Sequence, residues 1–166
     1  MTKITRVSKN CLSLIEEFEC AGNFRNFLQA YKCPAGKWTI GMGTTRYSGG
    51  ERVMPGDVIT EQQAYEYLTH DLATAESAVA YAVTADISQD QFDALVSFTY
   101  NLGVLAFRNS TLLKVINKNP QDPSIERQFG RWILAAGKVE PGLIRRRMSE
   151  AWLFTHGELK FKFDIK

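Results

Sequence analysis

Apolar residues recur along this chain with changing periods, and the changes mark its elements. Ile4, Val7, Cys11, Leu14, Ile15 and Phe18 fall at helical spacing, which predicts a first helix over residues 4–19. Residues 20–59 lose that period. They are rich in Gly, Tyr, Trp, Pro and Thr, and they read as short strands and loops. Turns are expected at Pro34-Ala35-Gly36, Ser48-Gly49-Gly50 and Pro55-Gly56-Asp57. The helical period returns at a capping box, Thr60-Glu61-Gln62-Gln63, which opens a long linking helix over 60–83. Its apolar face runs Ala64, Leu68, Leu72, Ala75, Val79 and Val83. A second capping box, Ser88-Gln89-Asp90-Gln91, opens a helix carrying Phe92, Leu95, Val96, Phe98, Thr99 and Leu102, with Gly103 as its C-terminal cap. Further helices are expected over 110–118, 123–136 and 141–156, with Pro123 and Pro141 in first turns. Residues 159–166 form a tail.

This order gives an α+β fold with its strands segregated. A β-rich lobe over 20–59 is joined by the long helix to a helical lobe over 84–158, all within one domain of residues 1–166. A cleft between such lobes is the expected binding site. At 166 residues, with 45% hydrophobic and 23% charged positions, the chain can bury a real core. Net charge is only +2, unevenly spread: residues 1–83 hold 8 basic against 9 acidic side chains, and residues 84–166 hold 12 against 9. That imbalance suits a polyanionic partner but is too weak to indicate nucleic acid. Three cysteines, Cys11, Cys20 and Cys33, are no disulfide framework, and two distant histidines, His70 and His156, make a zinc site improbable. No metal is expected. No apolar run reaches the length of a membrane span, and residues 1–6 lack the apolar stretch of a signal peptide.

The segment 30–45 carries the most chemistry. Two β-prone runs flank a turn, and Gly41 and Gly43 alternate at the end of the second, where a backbone or ligand can approach closely. The acids Glu16, Glu17 and Glu19 lie just upstream. A carboxylate among apolar groups serves as a general acid, and Glu19 lies nearest the turn in sequence. Against that, surface glutamates are commonplace. Cys33 reads as a reactive thiol or a small inert side chain, and Thr39 as a holder of water or a β-branched strand residue. Arg145-Arg146-Arg147 reads as an anion contact or as a solvated helix face with Glu150 as partner.

Taken together, these segments resemble the phage-type (T4-like) lysozymes, in their lambdoid and P2-like branch, over roughly residues 8–158. The family pattern is a Glu at a helix end, an Asp or Cys in a hairpin, and a Thr on the returning strand. Residues 31–41, Tyr-Lys-Cys-Pro-Ala-Gly-Lys-Trp-Thr-Ile-Gly, match that hairpin in its Cys version. Residues 93–103, 107–113 and 131–147 resemble the later signatures in the same order. The chain departs from the pattern in three places. Extra residues lie within 21–26, Cys20 follows the acid where a Gly is usual, and Thr44 stands where a His is frequent. The insertion leaves Glu16 and Glu17 open as the aligned acid.

The resemblance implies an inverting muramidase that hydrolyses the β-1,4 bond between N-acetylmuramic acid and N-acetylglucosamine. Glu19 would protonate the leaving oxygen, while Thr39 and Cys33 hold water on the opposite face. A neutral thiol, with an ordinary pKa of about 8.5, is a poor base, and Glu19 would oppose its ionisation. Thr44, Asn101, Arg145 and Arg147 are implied as substrate contacts. No cofactor is implied. The partner is bacterial peptidoglycan, approached by a monomer that waits in the host cytoplasm until a holin-like protein releases it to the wall and periplasm. A non-catalytic wall-binding module, a lytic transglycosylase and a cysteine-dependent amidase remain alternatives.

Overall fold

The computed structural model describes residues 3–33 and 35–164, so Pro34 of the expected hairpin turn and the final two tail residues lie outside the described residues. Helix α1 spans Lys9–Cys20. Ile4 and Val7, which the apolar period assigned to it, lie in a non-helical lead instead. Tertiary bonds override the period there. The Val7 N–H donates to Glu76 at 2.9 Å and the Ser8 N–H to Asp93 at 3.0 Å. Ser8 Oγ also accepts from the N–H of Asn10 at 3.2 Å, which fixes the helix start. The helix ends where Ala21 and Gly22 turn left-handed, at φ of 50° and 71°.

The chain divides into two units, Ile15–Ala73 on one side and Met1–Leu14 with Thr74–Lys166 on the other. In the first unit, a 3₁₀ turn at Phe24–Phe27 leads to β1 (Tyr31–Lys32) and β2 (Trp38–Thr39), which are antiparallel. Tyr31 faces Thr39 and Lys32 faces Trp38 across the pair. Regular strand is scarcer than the expected β-rich lobe. Beyond these two short strands the described segment has isolated bridges, because turn residues interrupt every run. Cys20, Phe24, Ile40, Met42, Ile59, Ala64 and Leu68 form the core of this unit. Gly41, at φ +57°, lets the chain press on helix α2 (Glu61–Ala82). A Cβ there would meet Ile59 at 3.3 Å and Ala64 at 3.4 Å, so the close approach is packing. The Thr60 capping box is formed in both directions, Gln63 N–H to Thr60 at 3.1 Å and Thr60 N–H to Gln63 at 2.9 Å.

The second unit is built around α3 (Gln89–Leu102), capped by the expected Ser88 box and by Gly103 at φ 92°. Residues 91–99 of α3 are all buried, so the helix is enclosed on every side. Phe98 stands edge-on to Phe129 and Trp132, with ring centres 5.4 and 5.8 Å away. Around it lie α4 (Val104–Asn109), which the pattern did not predict, α5 (Thr111–Lys118), α6 (Ile125–Phe129) and α7 (Pro141–His156). The helix expected over 123–136 is only α6, and Pro123 precedes it rather than entering its first turn. Gly130 caps it, and the chain then forms a hairpin, β3 (Leu134–Ala135) with β4 (Lys138–Val139). The connecting Ala136 and Gly137 have φ of 49° and 77°, a turn that suits the strands' twist and overrides helix propensity.

On α7 burial does not follow the apolar residues: Ile144, Met148 and Trp152 are only half-buried. The buried set is Arg146, Arg147, Ser149, Glu150, Ala151, Leu153 and Phe154. Two arginines share the interior with Glu150, which lies 3.2 and 3.1 Å from them.

Candidate active site

Three acids compete at the end of α1, and their surroundings separate them. The charge of Glu16 acts on Arg25 and Tyr65, two side chains grouped with Glu61, and Arg25 donates to Glu61 at 2.6 Å. Glu17 folds back over Gly22, with its Oε2 2.9 Å from where a Cβ on that glycine would stand. Glu19, half-buried in the last turn, is the acid of the three whose charge acts on the hairpin tyrosine. Burial first, and then the charges of Cys20, Glu19 and Cys33, push the Tyr31 phenol up to about 12. The neighbouring Cys20 thiol is pushed up to about 12 by burial, then by Glu19 and Glu16.

The two faces of the hairpin are set by strand alternation. Tyr31 and Thr39 pair across the strands and so share one face, while Lys32 and Trp38 share the other. Thr39 is 3% exposed, and its hydroxyl reaches the Lys37 carbonyl at 3.2 Å. Cys33 begins the turn, its N–H donating to the Lys37 carbonyl at 2.9 Å. Its thiol titrates below the ordinary value. The Lys37 N–H is the main cause, the Thr39 hydroxyl and the Ala35 N–H add to it, and partial desolvation opposes it. Repulsion from Glu19, expected from the sequence, does not outweigh these donors. The donors that line the turn favour the thiolate.

Two of the implied substrate contacts, Thr44 and Arg147, are buried. Thr44 is 3% exposed and donates to Asp71 at 2.7 Å, so it is a buried hydrogen-bonding residue and not a surface contact. That bond stands at the position where the family pattern frequently has a His. Arg145 is exposed, as expected, but Arg147 is 1% exposed and lies 3.1 Å from Glu150. Arg147 also donates to Asn101 Oδ1 at 2.8 Å. Asn101, half-buried at the end of α3, keeps its amide N–H group for other acceptors. Sequence reasoning missed Tyr31 and Asp71, and it named Glu150 as the arginines' partner but not its burial. Tyr31 was legible as the cross-strand partner of Thr39; Asp71 acts only through a tertiary contact. Among the described residues no group of three His, Cys, Asp or Glu side chains is placed to hold a metal ion.

The family model for phage lysozyme matches residues 24–150, most of the chain. The chain belongs to the phage lysozyme family. Glu19 lies just before the matched span; the hairpin, Asn101 and the arginines of α7 lie within it. The chain is 40% identical to an endolysin of Bacillus phage PZA over 93% of its own length, and spans 57% of that relative. It is 37% identical to an endolysin of Acyrthosiphon pisum secondary endosymbiont phage 1, covering 89% of this chain and 97% of the other. Among solved structures, an endolysin of Escherichia coli O157:H7 phage FAHEc1 superposes with a TM-score of 0.84 at 34% identity, over 93% of this chain and 96% of that one. The α+β, lysozyme-like fold is therefore established for this phage lysozyme family member. Among the described residues no helix is long and apolar enough to cross a membrane.

Proposed function

We propose that this chain is an endolysin muramidase. It hydrolyses the β-1,4 bond between N-acetylmuramic acid and N-acetylglucosamine in peptidoglycan and so brings about host lysis. The observation that supports the reading is that the charge of Glu19 acts on Tyr31, the cross-strand partner of Thr39, in a chain of the phage lysozyme family. Glu19 gives its proton to the leaving glycosidic oxygen. A water held by the Thr39 hydroxyl and Cys33 attacks the opposite face of the sugar and inverts the anomeric centre. The donors around Cys33 raise its thiolate fraction, so it assists the water as acceptor and not as nucleophile. Asn101 presents its amide N–H to the glycan, and Arg145 faces the anionic wall. The enzyme acts as a monomer, and a holin-like partner releases it to the wall.

The test is Glu19→Gln, assayed by loss of turbidity of outer-membrane-stripped cells. General acid catalysis contributes about 10²–10⁴-fold, so lysis falls by at least about two orders of magnitude. Glu16→Gln and Glu17→Gln retain activity. Full activity in Glu19→Gln with loss in either neighbour would falsify the assignment. Nuclear magnetic resonance of the first product distinguishes inversion, which gives the α-anomer, from retention. Mass spectrometry of the muropeptides separates reducing ends from the anhydro ends of a transglycosylase.

A further inference from the structure

The far face of the hairpin bears a groove that the proposed chemistry does not use. It has a volume of about 440 Å³ and is lined by Lys37, Trp38, Arg46, Arg52, Val53 and Met54 among others. Strand alternation turns Trp38 away from Thr39, so this groove lies on the other side of β1 and β2 from the Tyr31–Thr39 face. Its charge is unusual. Arg46 and Arg52 face each other across an antiparallel bridge, where like charges directly opposite are destabilising. Among the described residues neither they nor Lys37 is in an ion pair with a carboxylate; Arg46 donates only to the Gly50 carbonyl, at 3.0 Å. Lys32 adds a fourth cation, its ammonium 5.4 Å from the centre of the Trp38 ring. Between the cations the surface is apolar: Val53 is buried, while Met54 is 57% exposed.

We propose that this groove binds the acidic peptide side chains of the wall polymer, a reading that rests on the muramidase assignment. Unpaired cations at its rim match peptide carboxylates, and a bound carboxylate relieves the repulsion between Arg46 and Arg52. The apolar strip of Trp38, Val53 and Met54 matches methyl and methylene groups. A polyphosphodiester supplies the charge but no apolar complement, so the mixed lining favours peptide. Binding here fastens the peptide to the hairpin that carries Cys33 and Thr39, and makes peptide-bearing glycan a better substrate than bare glycan.

The probe is the tripeptide L-Ala-γ-D-Glu-meso-diaminopimelate, titrated into the Glu19→Gln protein while the Trp38 indole N–H resonance is followed. The expected result is a saturable shift of that resonance. In Arg46→Gln/Arg52→Gln the affinity falls about tenfold at low salt, and the difference shrinks as salt screens the charges. Arg46→Lys/Arg52→Lys, which keeps both charges, retains most of the affinity and so excludes misfolding as the cause. In otherwise wild-type enzyme, the Gln pair lowers the ratio of kcat/KM on peptide-bearing fragments to kcat/KM on peptide-stripped glycan, also about tenfold. Tripeptide affinity unmoved by the Gln pair, or equal binding of poly(glycerol phosphate), overturns the proposal. Absence of any hydrolysis by the wild type fails the muramidase reading alone, and the titration still decides the groove.

Discussion

Cys33 and Cys20 lie on the same short stretch of chain yet titrate in opposite directions. Donors in the turn hold Cys33 below the ordinary thiol value, while burial and two glutamates push Cys20 up to about 12. Native protein treated with iodoacetamide should therefore alkylate first at Cys33, at a pH lower than a free thiol requires, with Cys11 and Cys20 untouched. Peptide-resolved mass spectrometry across pH reads this directly, and a common midpoint for Cys33 and Cys20 contradicts it. Under the proposed mechanism Cys33→Asp is at least as active as wild type, because a carboxylate is the better acceptor. Asp57 shows the same logic in a stability role. The Met54 N–H and then the Tyr47 hydroxyl, at 2.8 and 2.7 Å, hold its carboxyl below the ordinary carboxylate value. A depressed folded value means the contribution is present above the unfolded value of about 3.9 and is lost as pH falls through the folded one. Asp57→Asn should accordingly flatten the pH dependence of unfolding at and below about pH 4, measured by urea denaturation. At this scale the candidate side chains were legible, but the surroundings of Glu16, Glu17 and Glu19 were not. Spacing along a helix end does not say which acid lies by which loop; the neighbours Arg25, Gly22 and Tyr31 distinguish their surroundings.

Among the elements, the capping signals at Thr60, Ser88 and Pro141 and the apolar face of α2 were read correctly, and the misreadings fall where tertiary contacts or turns claim the backbone. The capping boxes at Thr60 and Ser88 and the proline at the start of α7 need only their own turn, and all formed. The lead into α1 and the stretch after Gly130 have helical apolar spacing, but buried acids and a left-handed turn claim their backbones instead. The arginine run on α7 is the instructive failure. Successive helical residues are rotated by about 100°, so three in a row never share a face. Arg145 is exposed, while Arg146 and Arg147 lie 3.2 and 3.1 Å from the fully buried Glu150. Removing Glu150, the one carboxylate of the group, leaves two buried arginine charges uncompensated, at about 3–5 kcal/mol. Glu150→Gln should lower unfolding free energy by about that much, whereas Arg145→Gln should stay within about 0.5 kcal/mol. Chemical denaturation of both variants checks it, and equal small effects would mean the pair is more hydrated than its burial indicates.

On the scale of the whole molecule, the chain's first residues belong with its last hundred or so, an association no sequence period revealed. Residues 1–14 are grouped with 74–166, and four bonds show how. Arg6 pairs with Glu76 at 2.8 Å, Val7 donates to the same carboxylate, Ser8 donates to Asp93, and Asn10 donates to Asp90 at 2.8 Å. Periodicity is blind to such bonds because they join positions far apart in sequence. Asp93 is the centre of the arrangement. It is fully buried, and it accepts from the Ser8 N–H at 3.0 Å, from the Ser8 hydroxyl, and from Gln89 at 2.8 Å. Asp93→Ala removes the shared acceptor of all three donors, and a hydrogen bond to a charged group contributes about 1.5–3 kcal/mol. The loss falls on one unit, since every partner lies within it. Native-state hydrogen exchange should therefore show faster exchange for the amides of α3, while those of Ile40 and Thr44, bonded to each other's carbonyls at 2.8 and 3.1 Å, keep their protection. Acceleration confined to the unit of residues 1–14 and 74–166 makes the two units separate cooperative blocks. Acceleration of equal size at Ile40 and Thr44 makes the whole chain one block, and the N-terminal lead would then stabilise the hairpin face as well as the helices it touches.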